Sequence, residues 1–334
     1  MRKKQSKKII VLILLVSLFI LSSCGRRVGP IDIYTGTQGI TLDFPKNIPP
    51  KKVYENQTFL VVAELWNKGS YSFNETRGDF GVVGVNYDPL YFSAASTTNF
   101  VGDLLNYEDY PRFFLSGKGY DWPDGERLNK EVVFLKVNEI PGTRESPVVD
   151  VGMSVCYPYQ TLLSKGVCID VDTYDADQNP VCVNPGTYSF VGQGAPIAIT
   201  KIEADMVPAS MEEVQPTFRI TLKNMQKGVV FTKDDKISTS LAIDKVCNPQ
   251  ENIRNRDDIN SLTIEAWLGA DNKDSKLKCT PNPVRIYEGD AEVTCFMQGT
   301  TRGHNRNYMS LLTIKTNYIY RSQTTKKVRI VRLI

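Results

Sequence analysis

The spacing of apolar residues most constrains what this chain can fold into, because wherever it is regular the period is two. Phe218-Arg219-Ile220-Thr221-Leu222-Lys223 alternates apolar and polar side chains, as do Leu262-Thr263-Ile264-Glu265-Ala266 and Val293-Thr294-Cys295-Phe296-Met297. Successive strand side chains point to opposite faces, so such runs bury one face and wet the other. Near the C-terminus Leu312, Ile314, Tyr318 and Tyr320 keep one parity. Lys327-Val328-Arg329-Ile330 resumes the pattern after a turn expected at residues 322–325. No long segment carries the 3.6 period of a helix. Asn67-Lys68-Gly69-Ser70, Pro123-Asp124-Gly125 and Asn184-Pro185-Gly186 punctuate the runs as turns. Many short strands between Gly/Pro turns predict an all-β chain built from sandwiches.

The pattern also repeats at long range. At a spacing of 159 residues, Ile40-Thr41 matches Ile199-Thr200, Pro49 matches Pro208, Thr58-Phe59 matches Thr217-Phe218, and Lys68-Gly69 matches Lys227-Gly228. Phe59, Val61 and Ala63 then stand opposite Phe218, Ile220 and Leu222. The expectation is two related sandwich domains, residues 31–189 and 190–334, the first with a loop insertion near 99–127.

The start of the chain reads as an export signal. Arg2, Lys3, Lys4, Lys7 and Lys8 precede an apolar run from Ile9 to Leu21 broken only by Ser17. That run has the length of a signal-peptide core and is shorter than the ~20 residues a membrane span takes. Leu21-Ser22-Ser23-Cys24-Gly25 follows. It resembles the lipobox of prokaryotic lipoproteins, which implies cleavage of residues 1–23, acylation of the Cys24 thiol and a tether over residues 24–30. A single acyl chain holds a protein weakly, so stable anchoring implies a diacyl group. The chain carries formal charge +3, but residues 24–334 hold 35 basic and 37 acidic side chains. The positive balance therefore belongs to the leader, and no basic excess remains to bind nucleic acid.

Without Cys24, six of the seven cysteines remain: Cys156, Cys168, Cys182, Cys247, Cys279 and Cys295. An even number in an exported chain reads as disulfides. Cys279–Cys295 is the first choice, on neighbouring strand-like segments. Cys168–Cys182 is second, and Cys156–Cys247 follows by elimination. Zinc is a poor alternative, since there is one His and no C-x₂-C pair.

Beyond the lipobox, the strand that runs into Asn67-Lys68-Gly69 resembles the immunoglobulin-like adhesion modules of prokaryotic cell surfaces. Gly36-Thr37-Gln38-Gly39 and Cys156-Tyr157-Pro158-Tyr159-Gln160-Thr161 are similar to segments of uncharacterised surface lipoproteins of archaeal type. The resemblance covers most of residues 30–334. It implies two immunoglobulin-like sandwiches at a cell surface, and it transfers no catalytic residue.

Several segments are candidate sites. Residues 99–127 hold Tyr107, Tyr110, Phe113, Phe114, Tyr120 and Trp122, with Glu108, Asp109, Asp121 and Asp124 among them. Rings beside carboxylates suit a sugar or a protein partner, although rings folded inward would instead seal a core. Asp170, Asp172, Asp175, Asp177 and Asn179 could offer oxygens to calcium, yet lack EF-hand spacing and read better as a solvated acidic turn. His304, the only histidine, lies in a polar turn with no nucleophile motif nearby. Asn56 and Asn74 begin glycosylation sequons. No cofactor is expected. The leading reading is a lipid-anchored, non-enzymatic surface module that binds protein or glycan, or serves the envelope structurally. A transporter's solute-binding lipoprotein and a carboxylate-dependent hydrolase are the alternatives.

Overall fold

A computed structural model describes residues 33–73, 79–95, 112–140, 146–171, 180–210, 213–233, 259–269, 275–302 and 307–332. Among the described residues there are 17 strands and no helix, so the chain is all-β. The first half supplies β1 (Ile40–Asp43), β2 (Lys52–Tyr54), β3 (Thr58–Asn67), β4 (Gly81–Asn86), β5 (Phe92–Ala95), β6 (Arg112–Phe113), β7 (Arg127–Val137) and β8 (Val148–Ile169). The second supplies β9 (Thr187–Ser189), β10 (Ile197–Pro208), β11 (Val214–Asn224), β12 (Val229–Thr232), β13 (Ser261–Leu268), β14 (Lys278–Thr280), β15 (Val284–Arg285), β16 (Asp290–Phe296) and β17 (Tyr308–Val331).

The expected alternation is present. In β11, Val214, Pro216, Phe218, Ile220 and Leu222 are buried while the residues between them are not. In β13, Leu262, Ile264 and Ala266 turn inward, and in β16 Ala291, Val293 and Cys295 do so. One expected break is absent. Residues 322–325 are not a turn, because β17 runs on through Ser322, Gln323, Thr324 and Thr325, paired with Val155, Ser154, Met153 and Gly152. The threonines favour extended backbone, and a long partner strand supplies the ladder.

Strand order makes the internal repeat visible. A four-stranded sheet runs β1-β3-β7-β5, and a five-stranded sheet contains β14-β16-β11-β10-β9. An eight-stranded sheet follows the path β15-β13-β17-β8-β4-β6, with β12 and β2 also on β17. Matching β8 to β17, β4 to β13 and β6 to β15 makes that path read the same from either end. The pairs Ile40↔Asn67 and Ile197↔Asn224 stand at equivalent ends of the β1–β3 and β10–β11 ladders, offset by 157 residues. Along the long strands Tyr157 and Tyr159 correspond to Tyr318 and Tyr320, offset by 161, and a local twofold passes through the pair Pro158↔Ile319. The 159-residue spacing of the identities misses each true register by two. A two-residue slip in a strand keeps every side chain on its face, which is why Phe59, Val61 and Ala63 still matched core positions.

The two halves are laced together. All 22 residues of β8 pair antiparallel with β17. β2, from the first half, adds parallel to the end of β17 through Ile330↔Val53. Residues 33–334 form one compact unit, and buried residues of both halves, from Ile40 and Leu65 to Leu222 and Ile314, belong to one hydrophobic core. The sandwich-like halves expected on either side of residue 190 thus share a sheet and a core, because β8 and β17 are each other's neighbours.

The join is filled by four tyrosines. Tyr157 sits opposite Tyr320, and Tyr159 opposite Tyr318. Their rings approach at 5.6 to 6.4 Å between centroids, each contact contributing about 0.5–1.5 kcal/mol beyond area burial. Every hydroxyl is satisfied, as burial requires. Ile40 N donates to Tyr157 OH at 3.2 Å, and Tyr159 OH shares its proton between Asn67 Oδ1 and Gly194 O. In the second half Ile197 N donates to Tyr318 OH, while Thr161 Oγ1 lies 3.1 Å from that hydroxyl and donates to Ile197 O. Tyr320 OH donates to Asn224 Oδ1 at 3.0 Å. Burial raises the hydroxyl pKa values of Tyr157, Tyr159 and Tyr318 well above the ordinary tyrosine value, and pushes that of Tyr320 up to about 12.

Candidate functional site

Asn67 and Asn224 end equivalent strands and organise equivalent turns. Asn67 Oδ1 accepts from Gly69 N at 3.2 Å, and Nδ2 donates to Tyr71 O at 2.8 Å. Asn224 repeats this with Gln226 N and Gly228 O. The glycines of the two Lys-Gly matches clear the tyrosines: a Cβ on Gly69 would overlap the Tyr159 hydroxyl, and one on Gly228 would overlap the Tyr320 ring.

In the first repeat this turn is a junction of four chain segments. Lys68 N donates to Gly39 O, Ser70 N to Gly194 O, Gly194 N to Gly36 O, and Lys118 N to Gly69 O, all between 2.7 and 2.9 Å. The segment after Asp32, the turn after β3, the loop before β7 and the link between repeats are thereby fixed to one another.

The loop before β7 is one place where the repeats differ. In the second repeat, β15 reaches β16 through a tight hairpin in which Tyr287 and Asp290 exchange backbone hydrogen bonds. Glu288 and Gly289 both have positive φ, as a type I′ turn demands. Asn224 N donates to Gly289 O there, while Asn67 N donates to Glu126 O. Glu126 is therefore the counterpart of Gly289, the second residue of that turn, and residues 116–125 stand where the second repeat needs only Glu288 ahead of it. Their base is pinned: Ser116 N donates to Glu126 Oε2 and Glu126 N to Ser116 O. At the tip Gly119 N and Gly125 N both donate to Trp122 O, with Gly125 at φ +82°. Beside the tip Trp66 Nε1 donates to Asp124 O, and the Trp66 ring lies under Lys68 and Arg127 at 4.1 and 3.7 Å.

This rigid base displays aromatic side chains to solvent. Tyr120 is 90% exposed and Trp122 47%. Tyr34 is 50% exposed, and its neighbour Thr35 accepts from Lys118 Nζ at 3.2 Å. Val191 is 84% exposed, next to Gly192, which abuts Gly36. Clustered exposure of large apolar groups marks an interaction surface, whereas single exposed residues are ordinary.

Of the six aromatic candidates, the structure presents two outward. Phe113 is buried edge-on against Phe73 at 5.7 Å and supports the core. Phe114 is half-buried against the small cluster of Phe80 and Val82 on the other face of the large sheet. Tyr107 and Tyr110 lie outside the described residues, as do Cys24, Asn74, Asp172, Asp175, Asp177, Cys247 and His304. Asp170 is half-buried, and no group of three or more metal-ligating side chains occurs among the described residues. Asn56 is exposed in a turn at φ 62°. Cys279 and Cys295 stand directly opposite on β14 and β16 and are bonded, with Cα atoms 4.0 Å apart. Cys168 and Cys182 are bonded at 5.8 Å. Cys156 is also disulfide-bonded.

The sequence reading missed Tyr34, Val191 and the tyrosine join. Tyr-x-Tyr occurs at both 157–159 and 318–320, a signal that the 159-residue alignment skipped. No family model matches the chain, and no curated protein matches it. Among solved structures, the Enterococcus faecalis MSCRAMM ACE, which binds its ligands by the collagen Hug model, is 10% identical. That match covers 88% of this chain and 95% of the other with a TM-score of 0.16. The S. aureus collagen adhesin CNA is 8% identical over 90% and 93% of the two chains, with a TM-score of 0.13. Likenesses at that level carry no weight for fold or function.

Proposed function

We propose that the chain is a lipid-anchored, extracytoplasmic, non-enzymatic module that presents a binding surface at the cell envelope. The observation that supports this most is how its polar side chains are used. The buried hydroxyls of Tyr157, Tyr159, Tyr318 and Tyr320 and the Asn67 amide all act as struts between strands. The buried Asp79 carboxylate accepts from Tyr71 OH at 2.7 Å and pairs with Lys233 at 3.2 Å. Such groups stiffen a scaffold and leave recognition to its surface. The disulfides fit an oxidising compartment, and the leader with Cys24 fits export and acylation.

The test is capture of envelope protein and glycan by the soluble chain, residues 28–334, with specific retention expected. Detection of hydrolase activity, or tight binding of a small solute with closure around it, would instead favour one of the two alternatives. Mass spectrometry of the N-terminal peptide checks Cys24, where a free thiol would refute the anchor.

A further inference from the structure

The loop of residues 116–125 stands where the second repeat closes the same place with a two-residue turn. It has a rigid base and an exposed aromatic tip, and it occurs in the repeat that follows directly on the tether. Eight residues lie between Cys24 and Ile33, and the nine Cα steps span at most about 32 Å fully extended. Tyr34 comes next, and Lys118 holds its neighbour Thr35 against the loop. We propose that Tyr120, Trp122 and Tyr34 seat in the headgroup zone of the membrane that carries the lipid on Cys24. This rests on reading Cys24 as acylated.

The chemistry favours that occupant. Indole and phenol are apolar bodies with a polar edge, and they concentrate at membrane–water interfaces. A diacyl anchor keeps the bilayer within tether reach at all times, so weak ring contacts suffice to orient the module. Charge contributes little. Exposed Asp121 and Asp124 stand among Lys68, Lys118 and Arg127, while the Glu126 carboxylate is occupied by Ser116 N. With signs nearly balanced, the contact depends on the rings and is indifferent to salt and to anionic lipid.

Trp122 reports the contact. The mature chain from Cys24 onward is placed on phosphatidylcholine vesicles in two forms, with its own lipid and coupled at Cys24 to a maleimide phospholipid. Part of the vesicle lipid carries bromine high on the acyl chain. The expected emission is blue-shifted, quenched by shallow bromine more than by deep bromine, and unchanged by added salt. Trp122→Phe should remove most of the quenchable signal, leaving Trp66 and Trp267 as background. Tyr120→Ala with Trp122→Ala should leave the circular dichroism intact. Emission from the maleimide-coupled chain that ignores the bromine overturns the proposal, whatever the natural state of Cys24. Loss of partner capture in the double variant also overturns it, by making the loop a partner site. Native Cys24 without acyl groups overturns the anchor reading, and this inference with it, by a separate readout.

Discussion

The repeat supplies a matched pair of substitutions, Asn67→Ala and Asn224→Ala. Each removes an amide that holds a turn and a tyrosine in the same geometry, but the surroundings differ. Asn67 is fully buried. Its loss strips the donor from Tyr71 O and the acceptor from buried Gly69 N, while Tyr159 OH keeps Gly194 O at 3.3 Å. One buried and one part-buried group orphaned at about 1–3 kcal/mol each give roughly 2–6 kcal/mol. Asn224 is half-buried, its bonds to Gln226 N and Gly228 O are part-buried, and it is also the acceptor of the buried Tyr320 hydroxyl. The same deletion there should cost about 1–2 kcal/mol at the turn and about 1–3 kcal/mol more for the Tyr320 hydroxyl left without its acceptor. Urea unfolding of residues 28–334 with disulfides intact, followed by tryptophan emission and far-ultraviolet circular dichroism, measures both. Trp66 reports the first repeat and Trp267 the second. Because the repeats share one sheet and one core, both probes should move in a single transition for each variant. A cost below about 2 kcal/mol for Asn67→Ala would refute the burial argument. A split transition, with each variant shifting only its own half, would refute the shared core.

The tyrosine join predicts loss of stability in alkali. Its hydroxyls have folded pKa values above the unfolded value of about 10, so the stabilisation is complete below pH ~10. It is lost as pH rises from there through about 12 for Tyr320 and higher for the other three. Each group can remove up to about 1.4 kcal/mol per pH unit, which a pH titration of tyrosinate absorbance with circular dichroism will read as cooperative unfolding. Gly69→Ala should destabilise by about 3 kcal/mol or more, because the methyl meets Tyr159 OH and the Gly194 and Gln38 carbonyls. Thermal melts against Gly299→Ala, whose Cβ would meet nothing and whose φ is not left-handed, separate the clash from the ordinary cost of replacing a glycine. Cys279→Ser with Cys295→Ser should cost about 3 kcal/mol in urea unfolding. Tyr120→Ala with Trp122→Ala should stay within about 0.5 kcal/mol of the parent in the same assay.

Much of the fold was legible because strands announce themselves two residues at a time. Phe218 to Leu222, Leu262 to Ala266 and Val293 to Cys295 took the faces their parity assigned. Cys279 and Cys295 were readable as partners because each lies on such a strand. The true register was not legible, since a slip of two leaves the burial pattern unchanged. Nor was the pairing of β8 with β17, whose contacts join residues such as Tyr159 and Tyr318, far apart in sequence. At the aromatic segment, composition could not separate Phe113, which packs on Phe73, from Trp122, which faces water. That division depends on where a loop leaves the sheet, and the repeat exposed it by showing the same place without the loop.

The long ladder has a mechanical meaning. A load applied between the two repeats crosses from β8 to β17. Twenty-two paired positions share that load, and the parallel strand β2 stitches the far end of β17 back to the first repeat. Tension between the repeats should therefore be transmitted as through a single beam.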